Sequence, residues 1–306
     1  MSPDFVIIDD RFADLLLKDA WVERVFTGSI WAEGPVYFRN GDYVLWSDIP
    51  NNRMLRWSSA DGGSVFREPS NFTNGHTLDR QGRLVSCEHG GRRVSRTSKD
   101  GTYEVLVDRF EGRRLNSPND VVVKSDGSVW FTDPSYGILS DWEGFAGEME
   151  YGACYVFRFD PADGSLSVIS DHFAKPNGLA FSPDERILYV ADTEASHNPA
   201  GRRDIWAFDV TADGRGVENG RRFAVCDSGL FDGFRIDVEG NVWTSAGDGV
   251  HVYTPEPEAK KIGAIRIPER AVANVVFGGP DGNILYVAAT TSLYRVELGV
   301  AGIQPC

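Results

Sequence analysis

The sequence is poor in what metal clusters, membranes and nucleic acids demand. It has only four cysteines, Cys87, Cys154, Cys226 and Cys306, spaced too widely for any zinc pattern. No apolar run approaches the roughly 20 residues that cross a bilayer. Basic residues are outnumbered, 31 Lys and Arg against 45 Asp and Glu, and the resulting charge of −14 repels a phosphate backbone. Nucleic acid and membrane are therefore excluded as partners, while the acidity favours cation binding. The first residues, MSPDFVIIDDRFADLLLKD, carry acids where a signal peptide carries basic groups. The expected location is cytoplasmic, with the cysteines as free thiols in a reducing compartment. There is no G-x-S-x-G elbow and no H-E-x-x-H, which removes the common serine-esterase and zinc-protease signals. Asp126-Gly127 and Asp281-Gly282 lack the further acids of a calcium loop and read as hairpin turns.

What is present is glycine and aromatic side chains. The 33 glycines, 18 phenylalanines and eight tryptophans suit many tight turns between aromatic-rich strands. One plan recurs six times: a polar residue, a short strand, an acid/Gly-type turn, then a strand that ends in small or polar residues. The copies are WAEGPVYFRNGDYVLWSD (31–48), TNGHTLDRQGRLVSCE (73–88), SPNDVVVKSDGSVWFTD (117–133), KPNGLAFSPDERILYVADT (175–193), FDGFRIDVEGNVWTSA (231–246) and ANVVFGGPDGNILYVAA (273–289). In register they align Glu33, Asn74, Asn119, Asn177, Asp232 and Asn274, at spacings of 41, 45, 58, 55 and 42 residues. A period near 40–50 residues with four strands per unit specifies a β-propeller. The fold class is thus all-β, a six-bladed propeller. The two long spacings hold the candidate loops 135–153 and 194–203. The last unit offers three strands, and AWVERVFTG (20–28) is the expected fourth, an N-terminal strand that completes the last blade and hides two sheet edges. Residues 9–18 read as a short helix or cover. The whole chain, 1–306, reads as one propeller domain with an extension over about 1–19. No sequence feature specifies an oligomeric state.

The first strand of each propeller blade lines the central channel, so the six aligned residues converge on one axis. Every one offers an oxygen, and none is His or Cys. Such a set suits a hard divalent cation, calcium or magnesium, with two carboxylates to neutralise it. Asn177 is then a metal ligand. The competing reading is that Asn or Asp before Gly is an ordinary turn residue. That reading is retained for Asn74 and Asn274, whereas the common register moves Glu33, Asn177 and Asp232 toward function.

At this point the chain resembles the senescence-marker-protein/gluconolactonase/luciferin-regenerating family of six-bladed propellers. The likeness rests on Glu33-Gly34-Pro35-Val36, Ser117-Pro118-Asn119-Asp120, Pro176-Asn177-Gly178-Leu179, Asp232-Gly233 and Phe277-Gly278-Gly279-Pro280, and spans about residues 20–298. The resemblance implies one divalent cation in the channel, calcium first, with magnesium, manganese, zinc and ferrous iron as alternatives. It implies Glu33, Asn177 and Asp232 as direct ligands, and Asn119 as a substrate contact and, in some relatives, a further ligand. It implies Asp232 as general acid/base. Ser117 stands where the animal sugar-lactonase branch has an Arg, so that contact to substrate hydroxyls is missing. The DPSYG stretch (133–137) resembles bacterial gluconolactonase-like members, which makes Tyr136 the expected substitute contact or else a packed loop aromatic. His76, two residues after Asn74, is expected near the channel mouth, as a substrate contact or a histidine bonded to its neighbours. Arg235 reads as a structural partner for acids.

The implied activity is metal-dependent hydrolysis of a sugar lactone, an aldono-1,5-lactone opened to its aldonic acid. The alternatives are a phosphotriesterase-like hydrolase acting on organophosphate fluorides, and a non-catalytic calcium-binding regulatory propeller.

Overall fold

A computed structural model describes residues 3–304. Six antiparallel sheets succeed one another along the chain as blades. Blade 1 comprises Ala32–Phe38, Tyr43–Asp48, Arg53–Ser58 and Gly62–Arg67, and blade 2 Thr73–Leu78, Leu84–Glu88, Arg93–Thr97 and Tyr103–Val107. Blade 3 is Val121–Val123, Val129–Asp133, Tyr155–Asp160 and Ser165–Ser170, and blade 4 Pro176–Phe181, Ile187–Asp192, Asp204–Val210 and Val217–Val225. Blade 5 contains Phe234–Ile236, Val242–Ala246, Gly249–Tyr253 and Lys261–Arg266. Blade 6 contains Val272–Gly278, Ile284–Ala289 and Ser292–Glu297, and its outer strand is the N-terminal Glu23–Thr27, paired antiparallel with Ser292–Glu297. Blades made from both ends of the chain leave no open edge at the junction.

The N-terminal extension does more than cover the ring. Phe5–Ile7 adds a fifth strand to blade 5, antiparallel to Lys261–Arg266. A five-residue helix follows, Asp10–Asp14, with Asp9 as its N-cap. The helix seats the fully buried Phe12 in a core cluster with Trp243, Val275 and Phe277, between blades 5 and 6. Phe12 lies where a Cβ on Gly263 would be, so that strand position accepts only glycine.

The core lies between blades, not within them. Trp46, Trp130 and Trp243 lie in the second strands of blades 1, 3 and 5 and are fully buried. Trp46 packs among Val276, Tyr286 and Ala288 of blade 6, and Trp130 among Leu179, Leu188 and Phe208 of blade 4. Burying one such side chain is worth roughly 4–6 kcal/mol. Cys87, Cys154 and Cys226 are buried free thiols, and Cys306 lies outside the described residues. No helix among the described residues is long and apolar enough to cross a membrane.

Candidate active site

The polar residue of each repeat lies where its inner strand begins. In four blades the pairing of the inner strand with its neighbour slips there: between Glu33 and Val36, Thr73 and His76, Pro176 and Leu179, and Val272 and Asn274. A slip of this kind re-aims a side chain out of the regular strand alternation. An acid at the end of the second strand fixes the approach to it. Asp48 accepts from the backbone N–H groups of Ile30 and Trp31, Asp133 from those of Asn116 and Ser117, and Asp192 from those of Ala174 and Lys175. In each case the ring residue (Glu33, Asn119 or Asn177) follows two positions later. In blade 5 the backbone N–H of Asp232 itself donates to Ser245 Oγ at 2.8 Å.

The glycine after the ring residue lets neighbouring inner strands touch. Gly75 N–H donates to the Asn119 carbonyl at 2.7 Å and Gly178 N–H to the Asp232 carbonyl at 3.2 Å. A Cβ at Gly178 would collide with that carbonyl oxygen, so a larger residue would push the ring apart.

A cavity of about 440 Å³ opens at this end of the channel, and Glu33, Asn74, Asn119, Asn177 and Asp232 all line it. Asn274 sits behind them, its amide nitrogen 3.1 Å from Glu33 Oε2 and 3.4 Å from Asp120 Oδ2, while its own oxygen accepts from Val275 N–H. The buried Asp120, next to Asn119, also faces Arg235, whose guanidinium nitrogen is 3.5 Å from Asp120 Oδ2.

The carboxylates are crowded. Burial raises the Glu33 carboxyl well above its usual range, and the charges of Asp232 and Asp120 raise it further. Asp232 is raised as well, by burial first and then by the carboxylates of Asp120 and Glu143. Among the described residues no group of three His, Cys, Asp or Glu is placed to hold a metal. A cation here would therefore rest on amide as well as carboxylate oxygens. The residues present fit that role, because all the donors are hard oxygens and Asn74 Oδ1 is buried with no hydrogen-bond partner.

Tyr136 reaches the cavity wall on the short helix Tyr136–Leu139. Its hydroxyl lies 2.6 Å from Thr193 Oγ1 and 3.1 Å from Ser196 Oγ. His76 is not brought to this cavity. It lines a second one at the other end of the channel, with Tyr37, Phe181 and Arg235. The inner strands start at the first cavity and lead away from it, so two residues past Asn74 is about 6.5 Å deeper, not nearer the mouth. There His76 is fully buried between Ser47 Oγ at 2.9 Å and Ser86 Oγ at 2.8 Å.

Residues 31–291 match the SMP-30/Gluconolactonase/LRE-like region family. The chain belongs to this family. It is 33% identical to the gluconolactonase of Zymomonas mobilis subsp. mobilis, an alignment covering 92% of this chain and 82% of that protein. A gluconolactonase of known structure from Xanthomonas campestris is 35% identical with a TM-score of 0.89, covering 96% of this chain and 94% of that one. Regucalcin from Agrobacterium tumefaciens, a calcium-binding protein, shares the fold at a TM-score of 0.75 and 18% identity, over 93% of this chain and 96% of that one.

Set on the family's fold, the two long loops of this member supply site residues that the repeat pattern does not show. Loop 135–153 contributes Leu139, Trp142 and Glu143 to the cavity, and Ser196 and His197 come from loop 194–203. Trp142 is more than half exposed at the rim. Thr193 joins the two loops to the ring, taking a hydrogen bond from Asn177 Nδ2 at 3.1 Å and contacting Tyr136. Asp120 and Thr193 had a sequence signal, since each adjoins a residue of the repeat. Trp142 and His197 had none, because no periodicity governs a loop.

Proposed function

We propose that the protein hydrolyses a sugar lactone, an aldono-1,5-lactone, with a divalent cation as cofactor. The observation that carries this reading is the convergence of Glu33, Asn119, Asn177 and Asp232 on one cavity from four separate blades. The likeness to gluconolactonases supports the choice of substrate class. Glu33, Asn177, Asp232 and Asn119 would hold the cation, calcium first given hard oxygen donors and a calcium-binding relative. When bound, it supplies Lewis-acid polarisation of the carbonyl and neutralises charge in the cavity.

The chain's own residues divide the remaining work. Asp232 accepts the proton of the attacking water and returns it to the ring oxygen as the C–O bond opens, leaving a hydroxy acid. In the metal-free protein burial raises its proton affinity above the ordinary carboxylate range, and a bound cation would offset that rise and favour the carboxylate that serves as base. Asn119 and Tyr136 offer an amide and a hydroxyl to the substrate's hydroxyl groups. Leu139 and Trp142 present apolar surface at the rim for the C–H face of a sugar ring.

The decisive assay is pH-stat hydrolysis of glucono-1,5-lactone by wild type, by chelator-treated protein and by Asp232→Ala. Loss of rate on chelation with recovery on adding calcium, and a loss of at least about 100-fold in Asp232→Ala, are expected. Full rate in Asp232→Ala would remove the acid/base role. Faster turnover of an organophosphate fluoride than of any aldonolactone would favour the phosphotriesterase-like reading. Tight calcium binding with no turnover of either would leave a non-catalytic propeller.

A further inference from the structure

Two asparagines of the ring, Asn74 and Asn274, read in the sequence as turn residues, and the structure separates them. Asn274 has a protein partner for both its nitrogen and its oxygen. Asn74 is as deeply buried, at 4% exposure, and its oxygen has none.

The orientation of the Asn74 amide follows from His89. That imidazole is fully buried, with Nδ1 3.0 Å from the carbonyl oxygen of Glu143 and Nε2 3.2 Å from Asn74 Nδ2. A carbonyl oxygen only accepts, so Nδ1 carries the hydrogen. Fully buried, with a backbone carbonyl and an amide as its hydrogen-bond partners and no carboxylate among the described residues against it, the ring is neutral and Nε2 is an acceptor. An acceptor at Nε2 requires a donor from Asn74, which assigns the nitrogen to that branch of the amide. The oxygen occupies the other branch. An amide oxygen buried without a partner destabilises the fold unless something else meets it. It lies in a side chain that lines the same cavity as Glu33, Asn119, Asn177 and Asp232.

We propose that Asn74 supplies a further oxygen to the cation site, its amide held in that orientation by His89. The inference rests on the cation reading above and extends it to a residue outside the four named ligands. It also gives the loop over the cavity a part in the site. The Glu143 carbonyl sets the His89 tautomer, and Gly137 of the same loop packs so closely on the ring that a Cβ there would overlap it. Loop 135–153 thus acts on the cation site through His89 and Asn74, as outer-shell partners of metal ligands commonly do.

The test is calorimetric titration of the metal-free protein with calcium chloride, alongside thermal unfolding in chelator. Asn74→Leu, which removes the oxygen at nearly constant volume, is expected to weaken calcium binding at least about 10-fold. Its metal-free unfolding midpoint should shift little, because loss of the unpaired oxygen is offset by His89 Nε2 losing its donor. His89→Phe is expected to weaken calcium binding as well, by releasing the amide to rotate, and it carries the test should Asn74→Leu fold poorly. Unchanged calcium affinity in either folded variant, with wild type binding normally, would overturn this inference alone. Absence of binding by wild type would overturn the cation reading and this inference with it.

Discussion

Asn274 Nδ2 lies 3.1 Å from Glu33 Oε2, joining the inner strand of the last blade to that of the first. The same nitrogen reaches Asp120 Oδ2 at 3.4 Å, so one amide serves two buried carboxylates. Asn274→Leu leaves both without it. The expected result is a destabilisation of about 1–3 kcal/mol in urea unfolding and calcium binding weakened roughly 10-fold or more. Unaltered affinity in calorimetry would show that Glu33 is positioned by its other contacts alone.

Asp192 is fully buried and accepts three backbone hydrogen bonds of 3.0 Å, from Ala174, Lys175 and Glu194. Removing the carboxylate strands those donors, at about 1–3 kcal/mol for each that water cannot reach. Asp192→Ala should therefore be among the most destabilising single changes, and should lower metal affinity by releasing the approach to Asn177. Asp281→Ala, at an exposed hairpin, is the control and should change stability by less than about 0.5 kcal/mol. Equal effects of the two in urea denaturation would refute the clamp.

His76 offers a pH prediction. Burial, with added repulsion from Arg67, pushes it from its ordinary 6.5 down to about 3. The unfolded chain then binds a proton below pH 6.5 that the folded chain does not. The stabilising contribution is complete above pH 6.5 and falls as the pH drops from there toward 3. The slope is about 1.4 kcal/mol per pH unit for one such group. His76→Gln retains hydrogen bonding to Ser47 and Ser86 without this titration. Its stability relative to wild type should improve steadily between pH 6.5 and 4 in urea denaturation. Parallel curves would contradict the assignment.

Tyr136→Phe discriminates between a substrate contact and a packed aromatic. Loss of a hydroxyl contact to a sugar is expected to raise KM for an aldonolactone roughly 2- to 10-fold with kcat little altered. A residue serving only to hold Thr193 and Ser196 would show an unchanged KM and a lower unfolding midpoint.

Six polar residues at a common position, and the period that places them, were legible in the sequence because a propeller repeats the same hairpin. Alternation within each hairpin then specifies strands without reference to the rest of the chain. The blade count, the inner-strand polar ring and the N-terminal segment that precedes the first blade are all consequences of that local regularity. The direction of the inner strands was not local information. It decided that His76 lies past the ring in the far cavity while Asn74, two residues earlier, stays in the near one. The fifth strand of blade 5 likewise depended on where an N-terminal segment could find an unpaired edge. The difference between Asn74 and Asn274 was set by His89, Glu33 and Asp120, which adjoin them only after folding. Repetition along the chain determined which residues meet at the axis. Hydrogen-bond partners drawn from other blades and from an aperiodic loop decided which of their atoms are left free to act there.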